Sequence, residues 1–201
     1  EGRLFLGRGD TAYARGTADG VGTSFNVFRP ARPLYDPDDT ERRRPIAYEA
    51  FYLGTARITR GGDPVTLRVV DSVQEIGVGD RLVPSERVPL INYVPRRADK
   101  PIEGRIVSVY EGVQQAGTQR IVTINRGQRD GVEVGHVFSL METGATVRDR
   151  TVPGTQTVKL PDEPIGHMFV FRVFDGISYA LVMRLTKPVA IGDRFVSGGL
   201  D

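Results

Sequence analysis

Short runs of alternating apolar and polar residues recur along most of the chain. Arg57-Ile58-Thr59-Arg60 is followed by a turn rich in Gly and Pro and then by residues 65–70, in which Val, Leu and Val take alternate positions. A period of two places one set of side chains on a single face of a strand. Continuous apolar runs at 168–171 and 179–183 are typical of strands buried on both faces. The pattern therefore predicts many short β-strands, with no segment that reads as an amphipathic helix.

The pattern also repeats. An element of the form apolar-Gly-polar-x-apolar begins at Val78, Val134 and Ile191, with spacings of 56 and 57 residues. The stretches 48–84 and 164–197 align when Gly54 is placed on Gly166. Regular spacing indicates a duplicated supersecondary unit. Glycine adopts a positive φ at little cost, and an Asp side chain bonds the backbone nearby, so the repeated element predicts a tight turn. The predicted turns are Gly79 with Asp80, Gly135 with His136, and Gly192 with Asp193.

These features predict an all-β fold of two related small β-barrel or sandwich units, built from repeated strand–Gly-Asp turn–strand elements. The 24 Gly and 13 Pro residues agree with many short strands joined by turns. We expect an N-terminal β domain over residues 1–90 with the first repeat, and a C-terminal β domain over 91–201 with the second and third. The stretch 88–101 is predicted to link them, and the polar stretch 143–164 is predicted to be a loop.

Charge and composition narrow the function classes. The formal net charge is only +2, and the basic clusters Arg42-Arg43-Arg44 and Arg96-Arg97 lie beside Pro and Asp, as solvated loops do. A nucleic-acid-binding protein usually has a concentrated basic face, so we expect no nucleic-acid partner. An OB-like nucleic-acid binder, a third alternative, would need aromatics beside Arg on one sheet face. The absence of Cys excludes disulfides and thiolate chemistry. No apolar run approaches the roughly 18 residues of a membrane span.

The candidates for catalysis are few. The two histidines, His136 and His167, occupy positions where the other repeats have Asp80, Asp193 or Thr55, which is typical of turn residues and not of a general base. The sequence contains neither a Gly-x-Ser-x-Gly motif nor a His-Glu-x-x-His motif. We therefore predict no catalytic, cofactor-binding or metal-binding residues, no cofactor, and a protein that is not an enzyme.

Two further short motifs have simple interpretations. The acidic run Asp36-Pro37-Asp38-Asp39 lacks the Gly and distal Glu of an EF-hand loop and is interpreted as a solvated loop. The tripeptide Arg8-Gly9-Asp10 matches integrin ligands, but its Gly-Asp pair also matches the turns of the repeats, so we interpret it as a turn.

Several passages together resemble one protein family. They are GDTAYARG from Gly9, VFRPARPLYDPD from Val27, YEAFYLGTARI from Tyr48 and VFRVFDGISYALVM from Val170. Over nearly all of its length, the chain resembles the C-terminal region of LysM-containing, peptidoglycan-associated envelope proteins of Gram-negative bacteria. In that family an export signal and an N-terminal LysM module, which binds the N-acetyl sugars of peptidoglycan, precede this region. Gly9-Asp10-Thr11 echoes the start of a LysM module, but no βααβ pattern follows it.

The resemblance implies a location in the periplasm or cell envelope, with the export signal and the LysM module outside the given sequence. It also implies a non-catalytic accessory module that mediates protein interaction or scaffolding. The expected partner is an envelope protein, and peptidoglycan would be reached through the LysM module. The alternative, from another class, is a peptidoglycan hydrolase that uses carboxylates or His136 or His167.

Overall fold

The computed structural model describes residues 5–16, 20, 22–41, 44–85, 93–110, 115–148 and 157–198. Their regular structure consists of fifteen β-strands and a short 3-10 helix, Gln128–Asp130. The prediction of an all-β fold is confirmed. Among these residues, no helix has the length and apolar character needed to cross a membrane.

The chain divides into two compact units. Unit 1 comprises residues 1–32 and 48–90, and unit 2 comprises residues 33–47 and 91–201. The predicted link at 88–101 spans the division, although residues 86–92 lie outside the described residues. Residues 42–43 of the predicted arginine cluster also lie outside them. The sequence did not indicate that residues 33–47 group with unit 2.

Unit 1 is built on a five-stranded sheet with the order β1-β4-β3-β2-β5. Its strands are β1 (Thr11–Ala14), β2 (Ser24–Leu34), β3 (Ala47–Arg60), β4 (Val65–Ser72) and β5 (Arg81–Pro84). Alternate residues of these strands face a single apolar core, as a period of two requires. The buried core residues are Phe25, Val27, Leu53, Ala56, Ile58, Val65, Leu67, Val69 and Ile76.

Unit 2 contains a closed six-stranded barrel with the order β12-β13-β8-β6-β15-β9. The strands are β6 (Glu103–Val109), β8 (Ile121–Ile124), β9 (Val137–Glu142), β12 (Glu163–Val173), β13 (Ser178–Leu185) and β15 (Arg194–Ser197). Apolar side chains, among them Phe138, Met168 and Phe195, form a buried cluster in this unit. Side chains filling the interior are usual in small barrels.

Two short strand pairs complete unit 2. Strand β7 (Gln115–Ala116) pairs with β14 (Val189–Ala190). Strand β10 (Thr146–Arg148) pairs with β11 (Thr157–Lys159), and Val147 lies opposite Val158 at the centre of this hairpin. The stretch 143–164 therefore contains strands as well as loop, contrary to the prediction, and residues 149–156 lie outside the described residues. Its Thr and Val residues favour strands, but Gly, Pro and charged residues separate them into short runs.

The two units share one strand order. The order β1-β4-β3-β2-β5 of unit 1 matches β8-β13-β12-β9-β15 of unit 2. In the hairpins β3–β4 and β12–β13, Gly54 pairs with Ser72 and Gly166 with Leu185, and two register shifts follow at matching positions in both. Strand β6 lies between β8 and β15 and closes the barrel of unit 2. In the described part of unit 1, no strand lies between β1 and β5.

Gly54 and Gly166 occupy equivalent close approaches between strands. A Cβ atom on Gly54 would lie 2.2 Å from the backbone oxygen of Asp71, and one on Gly166 would lie 2.0 Å from that of Arg184. No side chain fits at either position without movement of the paired strand. The alignment of these two glycines in the sequence thus reflects a shared constraint of the hairpin.

Candidate functional site

The predicted turns at residues 79–80 and 192–193 have the same geometry. Gly79 has a φ of 95°, and the Asp80 carboxylate accepts a hydrogen bond of 2.7 Å from the Gly77 N–H. Gly192 has a φ of 93°, and the Asp193 carboxylate accepts one of 2.7 Å from the Ala190 N–H. A positive φ at the third residue is the glycine position of a type II turn. Both carboxylates therefore hold the backbone of their own turn.

The turn at residues 133–136 uses a histidine in place of the carboxylate. Gly135 has a φ of 98°, and Nδ1 of His136 accepts a hydrogen bond of 3.2 Å from the Glu133 N–H. A fourth turn contains the tripeptide Arg8-Gly9-Asp10: Gly9 has a φ of 88°, and the Asp10 carboxylate accepts a bond of 2.9 Å from the Gly7 N–H. The imidazole of His136 thus performs the same task as three aspartates.

His136 is buried, and its surroundings favour the neutral ring. Because Nδ1 accepts a hydrogen bond, the ring proton of the neutral form lies on Nε2. Burial lowers the pKa of His136, and the nearby positive charge of Arg96 lowers it further, while Glu133 and Asp99 act in the opposite direction. The His136 backbone oxygen accepts from the N–H of Val170 on β12. His167 lies on the same strand, three residues before Val170. The structure therefore ties His136 to a turn and His167 to a strand.

An open polar recess lies on unit 2, lined by Asp38, Glu103, Gly104, Arg105, Arg126 and Arg194. Arg194 donates to two carboxylates, those of Glu103 and Asp162, the second at 3.0 Å. Arg105 donates to the Asp38 carboxylate and, through another nitrogen, to the backbone oxygen of Gly192 at 2.9 Å. Arg194 and Arg105 are therefore each paired with a carboxylate, whereas Arg126 donates to the backbone oxygen of Asn125 at 2.8 Å.

Hydrogen bonds lower the pKa values of two of these carboxyl groups, those of Glu103 and Asp162. The hydrogen bond from Arg194 holds the pKa of Glu103 below its ordinary value, with Arg126 and Arg105 adding to the effect. The Gly144 N–H, followed by Arg194, lowers the pKa of Asp162. The proton donor of a glycoside hydrolase needs the opposite shift, because it must be protonated near neutral pH. Glu103 and Asp162 therefore have pKa shifts opposite to that of such a proton donor.

The acidic run 36–39 is part of a capped turn. The Asp36 carboxylate accepts from the Asn125 side chain at 2.8 Å and from the Asp38 N–H at 3.0 Å. Asp39 accepts from the Glu41 N–H at 3.1 Å. Within the described residues, no group of three or more His, Asp or Glu side chains could hold a metal ion.

The outer face of the sheet in unit 1 carries an arginine pair. Arg57 on β3 lies directly opposite Arg68 on β4, and both are exposed. Among the described residues neither guanidinium forms an ion pair with a carboxylate. Tyr13 on β1 is exposed beside Thr66, one row further along the sheet. This face combines arginine and aromatic side chains, which is the arrangement that the nucleic-acid alternative requires.

Two related turns were not found from the sequence. Gly22 has a φ of 89°, and its N–H donates to Ile58 O at 2.9 Å, as that of Gly135 donates to Val170 O at 2.9 Å. The letters VGTSF at 21–25 contain the same apolar-Gly-polar-x-apolar signal, so Gly22 could have been found. Gln119 has a φ of 61° and carries no such signal, because the position lacks glycine.

Comparison with known proteins adds no relative from which a role could be taken. No model of a known protein family matches the chain. No curated protein matches its sequence. A function for the chain must therefore come from its own residues and their geometry.

Proposed function

We propose that the chain is a non-catalytic interaction module of the Gram-negative cell envelope, located in the periplasm. It follows a LysM module in a longer protein and binds another envelope protein, while the LysM module holds peptidoglycan. The residue patterns shared with LysM-containing envelope proteins support the location and the neighbouring module.

The observation that supports a non-catalytic role is that side chains able to act in catalysis form hydrogen bonds and ion pairs within the fold. His136, Asp80 and Asp193 each accept a hydrogen bond from the backbone of their own turn. Glu103 and Asp162 share the guanidinium of Arg194. Arg194 lowers the pKa of Glu103, and the Gly144 N–H, followed by Arg194, lowers that of Asp162. Groups tuned for catalysis usually converge on a cleft with shifts suited to proton transfer. Here each group is engaged in a hydrogen bond or ion pair of the fold; burial raises the pKa of Asp193, but its carboxylate accepts from the Ala190 N–H.

Exposed apolar side chains support the binding of a protein partner. On the hairpin β10–β11, Val147 and Val158 are paired and exposed, and Leu160 follows them in an equally exposed position. On the barrel, the exposed ring of Tyr93 packs edge-on against Phe169. Grouped aliphatic and aromatic side chains on a surface are typical of protein interfaces.

Incubation with purified sacculi tests the non-catalytic role. We expect no release of muropeptides and no saturable, salt-resistant co-sedimentation of this chain with sacculi, because the glycan-binding module is not part of it. Release that disappears in the Glu103→Gln or His136→Ala variant, but persists in the Arg184→Gln control, would establish the hydrolase instead.

Capture from an envelope extract tests the interaction role. The tagged chain is compared with a variant carrying Val147→Asp and Val158→Asp and with a control carrying Val73→Asp at another exposed position. We expect one envelope protein to be retained by the wild type and by the control but lost by the hairpin variant. Retention of the same proteins by a tag-only column would contradict the proposal.

A further inference from the structure

We propose that unit 1 is completed by a sixth strand, which a segment of the same polypeptide N-terminal to Phe5 adds between β1 and β5. The two units have the same strand order, but only unit 2 has a strand in this position among the described residues. The inference rests on the comparison of the two units and does not depend on the proposed partner binding.

The first open edge, β1, is the counterpart of β8. The Gly9 N–H donates to Val69 O at 2.9 Å, and the Gln119 N–H donates to Val182 O at 2.7 Å. In the return direction, Val69 donates to Asp10 O at 3.0 Å and Val182 to Arg120 O at 2.9 Å. The chain therefore enters β1 and β8 through the same turn and the same pair of bonds.

The second open edge, β5, is the counterpart of β15. Val27 pairs with Leu82 in unit 1, and Leu140 pairs with Phe195 in unit 2. In unit 2, β6 pairs with both counterparts, through Ile106 with Ile124 on β8 and through Gly104 with Phe195 on β15. The two open edges of unit 1 are thus the two that receive one strand in unit 2.

The core of unit 1 is less completely buried along β1 and β5 than the core of unit 2 is along the matching strands. Four apolar residues of unit 1 that line β1, β5 or the adjoining bridge are only partly buried: Leu6, Ala12, Ala14 and Leu82. Their counterparts in unit 2 are fully buried: Ala116, Val122, Ile124 and Phe195. In unit 2, Ile106 and Val109 of β6 belong to the same core cluster. An added strand with apolar residues at the matching positions would cover the exposed part of the unit 1 core.

The path of the chain in unit 2 identifies the source of the strand. Strand β6 directly precedes β7, where Ala116 pairs with Val189. In unit 1 the equivalent bridge joins Leu6 to Ile76. The same connection places the added strand on the N-terminal side of Phe5. A segment joined by so short a connection reaches the edge at a high effective concentration, which favours it over a separate partner.

The predicted strand has a defined chemistry. It is extended, has apolar side chains at the positions that match Ile106 and Val109, and has a small residue opposite Leu82. In unit 2 that last position is Gly104, where a Cβ atom would lie 2.7 Å from the ring of Phe195. Pairing on both sides also satisfies backbone groups that an open edge exposes.

A graft tests the proposal in the intact chain. A copy of residues 101–114, which contain β6 and its connection, replaces residues 1–4 directly ahead of Phe5. We expect a higher melting temperature of unit 1 and, by hydrogen exchange, at least about tenfold slower exchange of the edge amides in Thr11–Ala14 and Arg81–Val83. The matched control is the same graft with I106D and V109D in the copied strand, which should give neither effect.

Four results would overturn the proposal. The first is a graft without effect, and the second is a control graft that protects the edges equally. The third is an ungrafted chain whose edge amides are already as slow as those of the graft. The fourth is protection that appears only in a dimer of the chain and is lost on dilution, since a second copy would then supply the strand. None of these results bears on muropeptide release or partner capture, so the proposed function stands or fails separately.

Discussion

At the scale of single residues, one device recurs: a glycine with positive φ followed by a side chain that accepts a hydrogen bond from the start of its turn. Asp10, Asp80 and Asp193 use a carboxylate for this bond, and His136 uses Nδ1. The bond needs only an acceptor at the right distance, so the two chemistries are interchangeable. This explains why His136 can take the place that aspartate has in the other three turns.

Replacement of Gly192 by Ala tests the backbone requirement. Gly192 has a φ of 93° with no atom within 4 Å of an added Cβ, so the loss comes from backbone strain alone. We expect a loss of about 1–2 kcal/mol in the free energy of unfolding, measured by urea titration. The control is Gly117→Ala, at a site with equally open space and no positive φ. Equal midpoints for the two variants would contradict the assignment. Gly135→Ala should cost more, because its Cβ would lie 2.7 Å from Val94 O.

The buried His136 predicts a pH-dependent stability. Its pKa is lowered by burial in the folded chain, so the unfolded chain, with an ordinary histidine pKa of about 6.5, binds the proton first as the pH falls. Stability is therefore complete above about pH 6.5 and decreases below it, by about 1.4 kcal/mol for each unit by which the pKa is lowered. Urea midpoints at pH 7.5 and 5.5 measure this loss. It should disappear in His136→Thr and persist in His167→Gln. Threonine is chosen because Thr23 follows Gly22 and its backbone oxygen accepts from the Ile58 N–H, as that of His136 accepts from the Val170 N–H. An equal loss in His136→Thr would assign the effect to other groups.

At the scale of elements, the paired strands of the two units follow the same register. Both hairpins have two shifts at matching positions, and both have glycine where the strands approach most closely. A bulge adds a residue to one strand and increases the local twist. The two hairpins therefore change register at the same two places along their strands.

The arginine pair of unit 1 gives a prediction at this scale. Arg57 and Arg68 are opposite each other on an exposed face, and like charges in that position destabilise a sheet. Arg57→Glu should convert repulsion to attraction and raise stability by about 0.2–1 kcal/mol, measured as an increase in melting temperature. Adding Arg68→Glu should remove the gain, because the two charges are then alike again. A gain that survives the second change would show that the charge pair is not its source.

A feature could be predicted from the sequence when the residues that form it lie close together in the chain. The turns at Gly79, Gly135 and Gly192 depend on neighbouring residues, so a short motif located them. The hairpin alignment of Gly54 with Gly166 depends on a constraint within one hairpin. In contrast, β6 and β15 pair through Glu103 and Val196, which are far apart in the sequence and have no shared local pattern. The sequence therefore predicted small barrel or sandwich units, but not which strands pair to close the barrel of unit 2.

The polar recess could not be predicted from the sequence either, because its residues are also brought together by long-range strand pairing. Arg194, Glu103 and Asp162 come from two strands and a loop, and no local sequence pattern indicates that they form ion pairs with one another. Only the pairing of β15 with β6 brings Arg194 near Glu103. The recess is formed by pairing between strands that are distant in the sequence, whereas each turn is formed by residues that are adjacent in the sequence.

At the scale of the whole molecule, the two units differ in the size of their apolar cores. Nine residues form the buried cluster described in unit 1, compared with sixteen in unit 2, and the described strands of unit 1 do not close into a barrel. Less apolar burial gives less stabilisation, and open edges exchange their amides readily. The molecule is therefore expected to have regions of unequal stability.

Hydrogen exchange followed by mass spectrometry measures this difference. We expect peptides from β1 and β5 to exchange first, followed by the remainder of unit 1, and peptides from β12 and β13 to exchange last. Under increasing urea, unit 1 should unfold at a lower concentration than unit 2. Simultaneous loss of protection in all strands would mean that the chain unfolds as a single cooperative body.

Because the two units have matched registers, each position in one unit has an equivalent position in the other. The residue found at one of them is therefore a candidate substitution at the other. At the turn before β1 the chain uses Gly9, with a φ of 88°, and at the turn before β8 it uses Gln119, with a φ of 61°. Since unit 1 has glycine at this position and unit 2 has glutamine, we select Gln119→Gly as a stabilising substitution to test. It should stabilise unit 2 by about 1 kcal/mol in a urea titration, because glycine tolerates that φ without strain. Gly9→Gln should destabilise unit 1, and a neutral or opposite result for the pair would mean that the two copies have diverged too far to inform each other.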